Sequence, residues 1–134
     1  MYKTIFLISF VFLFSCRSGM KNKELESIYN ETMEIHDVIM PEMSTIHKSK
    51  KKIRKTLENT SQSDVLRRKE LLNGMSFLES ADDAMMDWMA EFKKPKDNAP
   101  FEESKKYLLS EKEKITKVKK MMVEAINSAK ELTE

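Results

Sequence analysis

Apolar residues in this chain recur at the spacing of an α-helix along three long segments, and the pattern is broken at only two places. In the first segment they lie three, four or seven residues apart, at Leu25, Ile28, Ile35, Ile39, Ile46, Ile53 and Leu57. This period gathers apolar side chains on one face of a helix, whereas a half-buried strand requires alternation. Only 2 of the 134 residues are Gly, which disfavours a fold rich in tight turns. The pattern therefore predicts an all-α protein.

Two polar stretches set the ends of the predicted helices. Asn59–Ser63 has the composition of a loop, and Lys93–Pro100 contains two prolines and an Asp-Asn pair. The predicted helices cover about residues 23–57, 63–92 and 100–132. Connections this short join antiparallel neighbours, so we expect an elongated up-down-up three-helix bundle. The abundance of Lys, Glu, Leu, Met and Ala favours the same fold.

Five individual residues refine these helices. Asn22 is a suitable N-cap for the first helix, Ser61 a capping-box-like start for the second, and Pro100 a suitable first residue for the third. Pro41 lies inside the first helix, where the loss of one backbone hydrogen bond predicts a kink. Gly74 lies inside the second helix, where it either weakens the helix or lets a neighbour approach closely.

The first sixteen residues predict a bacterial lipoprotein signal peptide. After a short basic start, Thr4–Phe14 is a predominantly apolar run of about eleven residues, which is too short to span a bilayer and suits a signal peptide. Leu13-Phe14-Ser15-Cys16 resembles the lipobox, in which signal peptidase II cuts before the Cys and the Cys carries the lipid. An uncleaved anchor, or an ordinary secretory signal with a chance Cys, is the alternative. The expected organisation is a signal peptide over 1–15, a lipidated Cys16 with a polar tether over 16–22, and a helical domain over 23–134.

The single cysteine supports this prediction. Cys16 has no partner for an intramolecular disulfide or a Cys-based metal site. Stable anchoring requires at least two hydrocarbon chains, which a lipoprotein Cys supplies. Arg17 follows it instead of Asp, so the inner-membrane retention signal of that kind is missing. We therefore expect an outer-membrane location facing the periplasm.

The charge balance argues against a nucleic-acid partner. Lys and Arg number 24 and Asp and Glu 22, a formal net charge of +2. The basic run Lys48–Lys55 ends the first predicted helix, where cations suit the helix dipole. We expect it to be a solvated helix end, and contact with anionic lipid or an envelope polymer is the alternative.

Histidine and methionine residues on the first helix form a candidate metal site. His36, Met40, Met43 and His47 fall within an arc of about 60°. Folding back near residue 61 would bring methionines of the second helix level with them. Thioether and imidazole ligands suit Cu(I). The candidate ligands are His36, Met40, Met43, His47, Met86 and Met89. The alternative is ordinary core packing, because Met commonly fills gaps between helices.

Two acidic residues occupy positions where apolar residues are expected. Asp82 lies among the apolar residues of the second helix, and Glu111 among those of the third. If these helices fold back near residue 97, the two acids come level with each other, about one turn from His36. We expect a polar core layer there. Ion pairs that reach the rim of the bundle through a Lys or His are the alternative, and a metal or catalytic pair is a further one.

Motifs for enzymatic chemistry are missing from the sequence. The chain has no G-x-S-x-G, no H-E-x-x-H and no glycine-rich phosphate loop. We therefore predict that it is not an enzyme and has no cofactor, with copper as the alternative.

The segments HDVIMPEM at His36–Met43 and ADDAMMDWM at Ala81–Met89 resemble segments of small lipoproteins of Bacteroidota genomes. These often carry the label "viral A-type inclusion protein". The resemblance implies a lipoprotein and supplies no catalytic residues. The expected function is that of a lipid-anchored helical envelope protein, whose partners are the membrane and either an envelope protein or a second copy of the chain. The alternative is a periplasmic copper-binding protein.

Overall fold

The structure, a computed structural model, describes residues 15–134, with side chains from residue 19 onward. Nearly all of the predicted signal peptide and the side chain of Cys16 lie outside this described part. The helices are α1 (Ser15–Ile39), α2 (Met43–Asn59), α3 (Val65–Glu91) and α4 (Phe101–Thr133). Residues 15–134 contain no strand, so the predicted all-α class is confirmed. None of the helices in this range is both long enough and apolar enough to cross a bilayer.

The first predicted helix is divided in two at Pro41. A single 3-10 turn, Met40–Glu42, joins α1 to α2, with the proline in its first turn. Proline lacks the N–H that an uninterrupted helix needs and its ring crowds the preceding turn, so the helix breaks there. At its other end α1 begins at Ser15. Residues 16–22, where a polar tether was predicted, therefore lie in α1, and Asn22 lies inside the helix instead of capping it.

The three-helix bundle forms because α4 packs along both α1–α2 and α3. The ion pairs Lys105–Glu24, at 2.6 Å, and Lys112–Glu31 show that α1 and α4 run in the same direction. Arg68 Nη1 donates to the carbonyls of Leu57 and Thr60 at 3.0 and 3.2 Å, which places the start of α3 beside the end of α2. This confirms the up-down-up order. At 33 residues, α4 is about 50 Å long, so the bundle is elongated.

The core is a continuous seam of aliphatic and methionine side chains from all parts of the bundle. Its fully buried members include Ile46, Ile53, Leu71, Leu78, Met85, Ile115 and Met122. Gly74 lies where three helices meet, since a Cβ built on it would stand 2.5 Å from Leu132 Cδ1 and 3.3 Å from Ile53 Cδ1. The structure therefore confirms the second of the two expectations for Gly74, that a neighbouring helix approaches it closely.

The starts of the last two helices differ from the sequence prediction by a few residues. Asp64 caps α3, because its side chain accepts a hydrogen bond from the Arg67 backbone N–H at 3.1 Å. Ser61 lies in the loop, where its hydroxyl is 2.8 Å from that of Ser63. Pro100 occupies the N-cap position of α4 and precedes its first helical residue. Several short polar side chains near a helix start can accept hydrogen bonds from its unpaired backbone N–H groups. The sequence alone therefore does not show which residue is the cap.

Candidate functional site

The two histidines of the predicted metal site lie in separate environments. The His36 ring packs against Trp88 at a centroid distance of 5.5 Å, and its Nδ1 is 2.8 Å from Asp37 Oδ1. The side chain of His47 is 63% exposed, and its Nδ1 is 3.9 Å from Asp82 Oδ2. Eleven residues separate the two histidines, which is about three helical turns or 16 Å. Each imidazole therefore has its own neighbours.

The predicted methionine ligands are distributed between core and surface. Met43 is buried in the core, whereas Met86 is 53% exposed. Met40 and Met89 are partly buried and pack against the core. Over the described residues there is no group of three or more His, Cys, Asp or Glu side chains suited to holding a metal ion. Copper binding by His36, Met40, Met43, His47, Met86 and Met89 stays a prediction.

The two acids of the predicted polar layer have different partners. Asp82 accepts a hydrogen bond from Lys50 at 2.5 Å, and Glu111 accepts one from Lys114 at 2.8 Å. Phe92 stacks on Tyr107, and this register of α3 and α4 puts Trp88, not Asp82, level with Glu111. The expected single layer of His36, Asp82 and Glu111 is therefore replaced by two ion pairs that reach the rim. The pairing of Lys50 with Asp82 depends on the register between α2 and α3, whereas Lys114 and Glu111 are three residues apart on α4.

Glu111 is the most deeply buried charged residue in the described part of the chain, at 3% exposure. Its Oε1 is bound to Lys114, whereas its Oε2 has no hydrogen-bond partner within the protein. The indole Nε1 of Trp88 is likewise buried and unpaired. The hydrogen bond to Glu111 raises the pKa of Lys114 above its ordinary value of 10.5. Sequence pattern singled out Glu111 correctly as an exception on an apolar face.

Aromatic rings fasten the end of α3 to its two neighbours. Trp88 and Phe92 stack at 4.7 Å, and Phe92 also stacks on Tyr29 of α1 at 6.1 Å and on Tyr107 of α4 at 6.4 Å. The Tyr107 hydroxyl accepts a hydrogen bond from the Lys93 backbone N–H at 2.9 Å. These contacts hold the loop over residues 92–100 against α1 and the start of α4.

That loop closes one side of a pocket of about 210 Å³, which we call the anchor-end pocket. Its apolar walls include Leu25, Tyr29, Phe101 and Leu108, and its polar lining includes Lys94 and Lys96 from the loop. It is smaller than the clefts of about 300 Å³ or more that enclose drug-sized ligands. The volume therefore suits a small polar group on an apolar base.

Lysine side chains surround the aromatic walls of the anchor-end pocket. Lys94 Nζ lies 4.5 Å from the centre of the Tyr29 ring, and Lys21 Nζ lies 4.7 Å from the centre of the Phe101 ring. Lys105 Nζ is 5.9 Å from the same phenylalanine. Each distance is within the range of an attractive cation–π contact. Lys94 thus lines the pocket, and Lys21 and Lys105 lie against its Phe101 wall.

The anchor-end pocket lies at the end of the bundle where the apolar N-terminal run joins the helical domain. Asn22, which lines it, follows Cys16 by six residues, or about 9 Å along the axis of α1. Sequence reasoning missed this pocket. The sequence does show two aromatic residues, Tyr29 and Phe101, with lysines near them. Whether these two residues lie close together depends on how the loop over residues 92–100 folds.

Comparisons with known proteins give no relative. No protein-family model matches the chain, and no curated protein and no solved structure is detectably similar to it.

Proposed function

We propose that this protein is a lipid-anchored helical module of the bacterial cell envelope. In this proposal Cys16 carries the lipid, the outer membrane holds the chain, and the bundle faces the periplasm. The bundle acts by binding an envelope protein or a second copy of the chain, and it performs no catalysis. The observation that carries the proposal is the single cysteine at the border of the apolar run, within Leu13-Phe14-Ser15-Cys16.

The position of the bundle relative to Cys16 supports the proposal. Because α1 begins at Ser15, the helical domain starts directly at the lipidation site without a long flexible linker. The α1–α2 helix pair extends from there to Asn59, about 65 Å if its axis were straight. A lipid at Cys16 would therefore hold one end of an elongated bundle at the membrane and present the other end well above it.

The proposal is tested by replacing the cysteine in cells that process lipoproteins. The native chain is expected to incorporate a clickable fatty acid and to fractionate with the outer membrane. Cys16→Ser should lose both properties, because the serine oxygen is not a substrate for thioether formation. An inhibitor of signal peptidase II should make the uncut native chain accumulate.

A matched control moves the thiol away from the lipobox. The double variant Cys16→Ser/Ser18→Cys keeps one cysteine near the same place in the chain but outside the processing sequence. It should behave like Cys16→Ser. A native chain that takes up no fatty acid, or a Cys16→Ser chain that is labelled as strongly as the native one, would refute lipidation at this residue.

A further inference from the structure

We propose that the anchor-end pocket binds the headgroup of an anionic glycerophospholipid, so that this end of the bundle docks on the bilayer. This docking rests on one part of the proposed function, namely that a membrane lies at this end of the chain. Inserted into one leaflet, the apolar run Thr4–Phe14 would hold this end at a membrane even if it stayed uncleaved and Cys16 carried no lipid.

The position of the pocket agrees with the depth of lipid headgroups. The pocket residues Asn22, Leu25 and Tyr29 follow Cys16 by six to thirteen residues, or about 9–20 Å along α1. The headgroup region of each leaflet is about 5–8 Å thick, and a tilted helix comes closer to it than an upright one. Lys21, five residues from Cys16, is therefore within about one Debye length, roughly 8 Å at physiological salt, of the lipid phosphates. Lys94, beside Tyr29, comes this close when the helix tilts toward the membrane.

The charge of this end suits an anionic surface. Residues 19–23 and the loop over 92–100 contain five lysines and one acid, Asp97. All five lysines are exposed. Acids lie beside these lysines: Glu24 is paired with Lys105 at 2.6 Å, Glu26 lines the pocket, and Glu102 and Glu103 are in the first turn of α4. Each lysine near an anionic leaflet strengthens binding by about fivefold. The lysines of this set are Lys21, Lys23, Lys93, Lys94 and Lys96.

The lining of the pocket favours a phosphate that carries hydroxyl groups. Lys94 and Lys96 can donate to phosphate oxygens, as ammonium groups do in many phosphate sites. Glu26 and Asp97 also line the pocket and can accept hydrogen bonds from hydroxyls such as those of a glycerol headgroup. Tyr29 and Phe101 supply aromatic faces, and tyrosine is enriched at membrane interfaces.

Fluorescence quenching in vesicles tests this docking with the full chain. Asn98→Cys places one exposed thiol on the loop for a fluorophore, and vesicles contain a lipid with a nitroxide on its headgroup as the quencher. Two vesicle compositions are compared, phosphatidylcholine alone and phosphatidylcholine with phosphatidylglycerol. The fluorophore should be quenched severalfold more strongly when phosphatidylglycerol is present.

Two charge-reversal variants distinguish the pocket from a general effect of charge. Lys21→Glu/Lys94→Glu should reduce quenching to the level seen with phosphatidylcholine alone. Lys48→Glu/Lys51→Glu makes the same charge change on exposed positions of α2 and should leave quenching unchanged. Lys94→Gln, which removes charge without reversing it, should give an intermediate value. Unchanged far-UV circular dichroism verifies that each variant is folded.

Equal quenching in the two vesicle types would overturn the proposal, as would an equal loss of quenching in the pocket variant and the α2 variant. The number of fluorophores bound per chain reports separately on Cys16. One fluorophore indicates that the Cys16 sulfur is blocked by lipid, whereas two indicate a free thiol and contradict the proposed lipidation. If two are bound, the quenching comparison is repeated with Cys16→Ser/Asn98→Cys, which carries the fluorophore on the loop alone.

Discussion

Glu111 occupies an apolar position of α4, buried to 3% exposure among core residues, and its carboxylate is balanced by Lys114 at 2.8 Å. A charge removed from water in this way loses hydration that one ion pair does not fully restore. Lys114 itself is 53% exposed, so the attraction between the two charges is partly screened. The unpaired Oε2 adds to the cost. The pair is therefore not a net source of stability for the bundle.

Replacing Glu111 separates a structural from a functional role. Glu111→Met, which fills the same space without a charge, should raise the free energy of unfolding by about 1 kcal/mol. Lys114→Met leaves the buried carboxylate without its cation and should lower the free energy of unfolding. Urea denaturation followed by far-UV circular dichroism measures both. A Glu111→Met protein that is less stable than the native one would mean that the carboxylate makes a contact that stabilises the bundle.

At the scale of single residues, sequence pattern identified which side chains are exceptional but not what they touch. Asp82 and Glu111 stood out because they interrupt apolar faces, and both prove to be largely buried and ion-paired. Lys114 lies three residues after Glu111 on the same helix, a spacing that the sequence shows, whereas the partner of Asp82 could not be predicted because a lysine side chain can reach an acid on another helix from several registers. Lys50 and Asp82 are 32 positions apart in the sequence, so small errors in the loop shift the predicted pairing by a turn.

At the scale of elements, two consecutive arginines at the start of α3 satisfy the carboxyl ends of its neighbours. Arg68 donates to the carbonyls of Leu57 and Thr60 at the end of α2, and Arg67 donates to the carbonyl of Leu132 near the end of α4. The last four carbonyls of a helix have no partner inside it, and the negative end of the helix dipole attracts cations. These arginines thus join three helices at the end of the bundle farthest from Cys16.

Removing one of these side chains should weaken that end of the bundle. Arg68→Ala loses two charge-assisted hydrogen bonds and should lower the free energy of unfolding by about 1–3 kcal/mol. Arg54→Ala, on an exposed position of α2, is the matched control and should change it by less than about 0.5 kcal/mol. Hydrogen exchange should show that Arg68→Ala also increases opening of the last turn of α2. Equal stability of the two variants would contradict the capping role.

The parallel contact between α1 and α4 depends on pH through its ion pairs. The hydrogen bond from Lys112 lowers the pKa of Glu31 below its ordinary value of 4.5. The stability that this pair contributes is therefore present above pH 4.5 and is lost as the pH falls through the folded-state pKa. At the alkaline end, the hydrogen bond to Glu24 raises the pKa of Lys105 above its ordinary value of 10.5. The stability that this pair contributes is therefore complete below pH 10.5 and is lost as the pH rises through the raised pKa.

A comparison of melting temperatures across pH tests the Glu31–Lys112 pair. Glu31→Gln should melt below the native protein at neutral pH, and the difference should shrink as the pH falls below 4.5, where the native carboxylate also becomes neutral. Glu34→Gln, an exposed position one turn further along α1, should match the native protein throughout. A difference between Glu31→Gln and the native protein that stays constant down to low pH would show that the ion pair is not its cause.

At the scale of the whole molecule, the predicted bundle was correct because its determinants are local. Prolines, polar loops and a helical apolar period fix the number, order and approximate ends of helices, and short loops fix their antiparallel order. The division of the first helix at Pro41 follows from the missing N–H of proline. The anchor-end pocket was not predicted, because it depends on how far Phe92, Tyr29 and Tyr107 draw the loop over residues 92–100 onto α1.

The most direct measurement of the central claim is the intact mass of the chain purified from outer membranes. The proposed function predicts a chain over residues 16–134, with a diacylglycerol on the Cys16 sulfur and an acyl chain on its amino group. Tandem mass spectrometry should place both additions on that residue. A chain that keeps residues 1–15, or one that begins at Cys16 without any lipid, would contradict the account.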